Sequence, residues 1–102
     1  MATFVILGNW TEKGAKEFPD APARARANEA AAAAMGGRVV ATYWTLGRYD
    51  WVSIIEAPSD ELLTAGLLLA GARGSSRTET LRAFDINELE QIIATAQSAP
   101  PS

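Results

Sequence analysis

Between Val39 and Pro58 the chain reads VVATYWTLGRYDWVSIIEAP, two apolar runs interrupted once, at Gly47-Arg48-Tyr49-Asp50. Turn-forming residues between two β-favouring runs predict a hairpin. Strand side chains alternate between two sides, so Val39, Ala41, Tyr43 and Thr45 share one side of the first strand, and Val40, Thr42, Trp44 and Leu46 the other. In the second strand Asp50, Val52, Ile54 and Glu56 oppose Trp51, Ser53, Ile55 and Ala57. A hairpin covered on one face only alternates apolar with polar. This one carries large apolar groups on both. Helices of the same chain can cover one face; in a chain of 102 residues, a second subunit is the expected cover for the other.

The flanking pattern supplies those helices. Thr3 to Leu7 is a β-branched and aromatic strand bounded by Gly8, and the segment from Asn9 to Gly14 reads as a turn-rich loop. Asp20 and Pro22 open an alanine-rich helix over Ala23 to Met35 that stops at Gly36-Gly37. Its small side chains predict a close approach to the sheet. Ser59 caps a second helix whose stripe is Leu62, Leu63, Leu67, Leu68 and Leu69, ending at Gly71. Arg77 to Phe84 alternates as a fourth strand, and Asp85 with Glu88 forms a capping-box start for a last helix, with Leu89, Ile92, Ile93 and Ala96 on one face. The order β-α-β-β-α-β plus a C-terminal helix is α+β, the ferredoxin-like antiparallel sheet. One domain over residues 1–96 is expected, with a flexible tail at 97–102.

Composition narrows the chemistry. Cysteine and histidine are both absent. That removes thiol nucleophiles, iron–sulfur ligation and the commonest nitrogen ligand of zinc or haem. No metal and no cofactor is expected. A net charge of −3 provides no basic footprint for nucleic acid. No run approaches the roughly 20 apolar residues that span a bilayer, and the opening Met-Ala-Thr-Phe-Val lacks the basic region of a signal peptide. A cytoplasmic protein is expected, with neither membrane nor nucleic acid as partner.

From Tyr43 to Asp50, again at Glu56-Ala57-Pro58, and again from Arg77 to Phe84, the chain resembles the GYD-domain family, named for a Gly-(x)-Tyr-Asp motif at this hairpin. The likeness runs over roughly residues 3 to 96. It implies a ferredoxin-like subunit related to the dimeric α/β-barrel superfamily, in which two sheets close face to face. It does not imply a reaction, because that superfamily carries many unrelated activities. Haem-dependent relatives need an axial histidine that this chain lacks. Cofactor-independent monooxygenases acting on polyketide phenols remain an analogy, since they rely on asparagine, tryptophan, tyrosine and arginine. Those types occur here as Asn9, Trp10, Trp44, Tyr43, Tyr49 and Arg48.

Candidate residues follow, each with a plainer role beside it. Asp50, on the Val52 side of its strand, would act as a general base if that side lines a dry interior; otherwise it caps the turn or pairs with Arg48. Tyr43 is the second catalytic candidate. Asn9, Trp10, Trp44, Arg48, Tyr49 and Arg77 are the ligand-binding candidates. Trp10 serves equally as a ring packed over the end of the sheet, and Arg77 with Glu79 and Arg82 as an ion-pair network. Gly71 to Arg77 holds glycines, hydroxyls and two arginines on which an anion can rest, although such a segment usually only turns the chain. The expected protein is a homodimer, or a higher homo-oligomer, with an aromatic-lined apolar cavity for a small organic ligand and scope for acid/base or oxygenase-like chemistry. The alternative is an oligomerisation module without catalysis, its sheet face wholly consumed by assembly.

Overall fold

The computed structural model describes residues 1–100. Its elements are β1 (Ala2–Trp10), α1 (Glu12–Lys16), a 3-10 turn (Phe18–Asp20), α2 (Ala21–Ala34), β2 (Arg38–Trp44), β3 (Trp51–Ala57), α3 (Asp60–Ala72), β4 (Ser76–Ala83) and α4 (Ile86–Ser98). The four strands form one sheet in the order β2-β3-β1-β4, every neighbouring pair antiparallel. β3 lies between β1 and β2, and β1 between β3 and β4, so each helical crossover skips one strand. This is the expected ferredoxin-like arrangement.

The sheet departs from the sequence pattern in three places. β1 runs through Gly8 and Asn9 to Trp10, because Gly8 pairs with β3 on one edge and β4 on the other, and Asn9 and Trp10 go on pairing with β4. Ladder hydrogen bonds on both edges outweigh the tendency of glycine to break a strand. Glycine is required there for another reason: a Cβ on Gly8 would overlap the Trp51 ring. Second, β2 contains a bulge between Val39 and Ala41, so Val39 pairs with Ile55 while Ala41 pairs with Ile54. The extra residue moves Val39 to the side of Thr42 and Trp44. Third, β2 stops at Trp44, and Thr45 begins the bend, its hydroxyl donating to the Tyr49 carbonyl at 2.7 Å. Gly47 there has φ of +105°, a conformation that L side chains resist.

One face of the sheet meets α2 and α3. The core on that side is small: Phe4, Ile6, Ala57 and Leu63, flanked by Trp51, Ile55 and Leu67. Ser53 is buried among them and satisfied by Thr42, hydroxyl to hydroxyl at 2.6 Å. By register the opposite face carries Val5, Leu7, Val52, Ile54, Tyr43 and Leu81, and no helix of the core lies there.

α4 begins with a complete capping box, Asp85 and Glu88 each accepting the other's backbone N–H. Every residue of α4 except Glu88 is nonetheless exposed, its Leu89–Ile92–Ile93 stripe included. The chain measures 54 × 31 × 20 Å. The eight-residue β4, about 27 Å long, followed by a helix of about 20 Å, accounts for most of the long axis, so α4 projects beyond the end of the sheet. The radius of gyration of 16.0 Å compares with about 13 Å for a compact domain of this length. α4 runs to Ser98, inside the segment assigned to the tail; Pro101 and Ser102 of that tail lie outside the described residues.

Candidate functional site

Two surfaces meet at the hairpin end of the sheet, and the candidate residues divide between them. On the helix side, a cavity of about 570 Å³ separates α2 and α3 from the sheet. Its cause is local. The stripe of α2 that faces inward is Ala21, Arg24, Ala25, Asn28, Ala31, Ala32 and Met35, mostly methyl groups at helical spacing. The alanines do not draw the helix tight onto the sheet, as expected from their volume; they leave space. Leu62, Leu63 and Leu67 of α3 form the opposite wall, and Trp10, Trp44 and Trp51 the aromatic end. Trp44 and Trp51 are direct cross-strand partners, so their rings lie side by side on one face.

On the other side of the sheet lie Asn9, paired with Arg77, and Tyr43, paired with Val52. Tyr43 is 63% exposed. Tyr49 donates its hydroxyl to Glu79 Oε2 at 3.0 Å, reaching over from the bend to β4, and the Arg48 guanidinium lies 5.7 Å from the Tyr49 ring centre. Strict alternation predicts that Tyr49 faces away from this surface. It does not, because residues 45 to 50 have left the strand.

Asp50 joins the two regions. Its Oδ2 accepts the Trp10 N–H at 2.8 Å, its own N–H donates to the Gly8 carbonyl at 2.8 Å, and its carbonyl accepts from Thr45 N–H at 2.8 Å. Two of these bonds fasten the hairpin bend to the end of β1 and the third closes the bend itself, which together set the backbone beneath the Trp10 ring. The loop before β4 closes the same end: Thr11 hydroxyl donates to the Gly74 carbonyl at 2.6 Å, and Lys13 Nζ to the Arg73 carbonyl at 2.9 Å.

Of the candidates, Trp10 and Trp44 line the cavity; Asn9, Tyr43, Arg48, Tyr49, Asp50 and Arg77 do not. The cavity also brings in Arg73, from the segment on which the sequence allowed an anion to rest, and Arg24 and Asn28, which the sequence pattern did not single out for binding. The signal was present for two. Arg24 and Asn28 stand four residues apart on the inward stripe, and only their spacing relative to Ala21, Ala25 and Ala32 reveals that they face the sheet. Among the described residues no three carboxylates gather as a metal-binding group, and no helix is long and apolar enough to cross a membrane.

Sheet order and helix placement define a ferredoxin-like α+β domain with a cavity under its helices and one sheet face uncovered. The chain belongs to the GYD domain family, whose model matches residues 4–93. A protein of Thermus thermophilus named glutamine synthetase and cystathionine beta-lyase binding protein is 36% identical over 90 residues, covering 87% of this chain and 95% of that protein. A crystal structure of a protein from the same organism matches 83% of this chain and 95% of its own, at 28% identity and a TM-score of 0.49.

Proposed function

We propose that this chain is a protein-binding module. The observation that carries the reading is surplus surface. The chain exposes 7112 Å², whereas a compact monomer of 10.8 kDa exposes about 5,500 Å². The excess of about 1,500 Å² is enough for a standard interface of roughly 800 Å² per partner and more. It is also apolar where it counts, at the uncovered sheet face and along α4. In this reading two copies close sheet to sheet through Val5, Val52, Ile54 and Leu81, as the likeness to dimeric α/β barrels suggests. α4 then stands free to hold a different protein. The name of the Thermus relative favours such a role, and glutamine synthetase and cystathionine beta-lyase are the first partners to try.

The test uses two charge insertions. Light scattering after size exclusion should give twice the chain mass for the wild type and a folded single chain for Ile54→Lys. Immobilised glutamine synthetase, and separately cystathionine beta-lyase, should retain the wild type but not the Leu89→Lys/Ile93→Lys variant, which stays dimeric. A wild type that is monomeric at micromolar concentration and retained by neither enzyme overturns the proposal.

The cavity favours a second reading, in which the domain holds a small organic molecule between its helices and its tryptophans. About 570 Å³ falls inside the range of small-molecule pockets. This reading is one of binding rather than turnover, since Asp50 and Tyr43 are not in the lining.

A further inference from the structure

The cavity has a polarity that the ligand reading does not use. Arg24, Asn28 and Arg73 are polar side chains of its helical wall. Arg24 and Asn28 are neighbours on α2 at i and i+4, about 6 Å apart, and Arg73, the C-cap of α3, donates from Nη2 to Asn28 Oδ1 at 3.3 Å. The end of α3 thus meets α2 at Asn28, with Arg24 one turn nearer the start of α2, and the three line one mouth of the cavity. Neither guanidinium is ion-paired with a carboxylate among the described residues; Arg24 donates to the Glu17 carbonyl at 3.1 Å and Arg73 to Asn28. The one carboxylate in the lining, Glu56, pairs with Arg38 and is the strand partner of Thr3 at the far end of β1. Lys13, beside Arg73, stands outside the lining, in a groove it shares with Lys16, Glu12 and Glu17. The cavity is thus cationic at one end, with an apolar body between Trp51, Met35 and Leu67.

We propose that this cavity binds an amphiphilic carboxylate, with its head between Arg24 and Arg73 at the mouth and its apolar body against Trp51 and Leu67. The proposal rests on the second reading above, that the cavity is a ligand pocket. A guanidinium fork matches the two oxygens of a carboxylate, and Asn28 offers an amide beside them. The other apolar, acidic candidate is α4 of a second copy, with Glu88 and Glu90; a single carboxylate on a slender chain suits the fork of two arginines better than side chains spaced along a helix about 10 Å across.

The experiment displaces a neutral naphthylamine dye from the cavity with dodecanoate, with dodecan-1-ol and with a peptide of residues 85–98. Dodecanoate should compete about tenfold better than the alcohol, an effect in keeping with two partly exposed charge-assisted contacts. Arg24→Gln/Arg73→Gln should abolish that preference while leaving the alcohol unchanged, and Arg73→Gln alone should reduce it part way, with far-UV circular dichroism confirming the fold of each. Equal competition by acid and alcohol overturns the head-group assignment but leaves the pocket reading standing. Failure of the dye and both chains to bind overturns the pocket reading as well. Stronger displacement by the peptide than by dodecanoate assigns the cavity to α4 and overturns the proposal.

Discussion

Replacing Asp50 by alanine removes the acceptor that holds Trp10. The Oδ2 contact is a charged acceptor at 2.8 Å from a backbone donor, in a partly buried position. Hydrogen bonds to charged groups contribute about 1.5–3 kcal/mol, and partial exposure moves this one toward the middle of that range, about 2 kcal/mol. For a domain of about 100 residues each kcal/mol displaces the melting temperature by about 4–8 °C. Asp50→Ala should therefore melt about 8–16 °C lower than the wild type. Asp50→Asn keeps a neutral acceptor and should lose roughly half as much. Melts followed by circular dichroism at one fixed concentration keep any contribution from assembly constant. Amide exchange at Trp10, read by NMR, localises the effect, since the unpaired N–H should exchange faster in the alanine variant than in the asparagine variant. If Asp50→Ala melts within about 2 °C of the wild type and Trp10 exchange is unchanged, the carboxylate does not fasten the strand.

Gly8→Ala drives a methyl group into the Trp51 ring at Cε2. Because the obstacle is a ring wedged over a strand, we expect about 1–3 kcal/mol of destabilisation with an altered near-ultraviolet tryptophan signal; an unchanged signal would mean the ring has another place to go. Asp85→Ala breaks the capping box of α4, a loss of about 1 kcal/mol confined to a helix with little else to hold it. Amide exchange should rise across residues 86–90 and stay level in the sheet, whereas a uniform rise would show that α4 is part of the cooperative core.

The element order is readable because each signal is local. Ser59 and Asp85 cap the helices that their positions predict, with Leu62 N–H bonded to the Ser59 hydroxyl at 3.2 Å, and Gly47 turns the hairpin as its place between two apolar runs implies. What stays hidden depends on partners distant in sequence. Gly8 and Asn9 look like a strand end until β3 is placed beside Gly8 and β4 beside both. Val39 looks like a neighbour of Tyr43 until the bulge moves it to the other face. The cavity depends on the separation of α2 from α3, and no window of sequence reports that distance; Arg24 reads as one more solvated arginine in an alanine helix. α1 escapes notice for a plainer reason: at five residues it is held by the Thr11 cap and by Ser75, whose carbonyl would clash with any Cβ on Gly14.

The two outer strands carry a consequence for how large an assembly can grow. A sheet with an open apolar face invites further copies, and the most damaging invitation is along the hydrogen-bonding edges, where strands can add without limit. β4 sets Arg77, Glu79 and Arg82 along one edge, and the bulge after Val39 interrupts the other, which opens with Arg38. Charge and irregularity are the usual means by which an edge refuses another strand. Face and arm are left as the only places to join. A contact of one sheet face with its own copy saturates once the two have met, so an open apolar face does not by itself lead to a fibre.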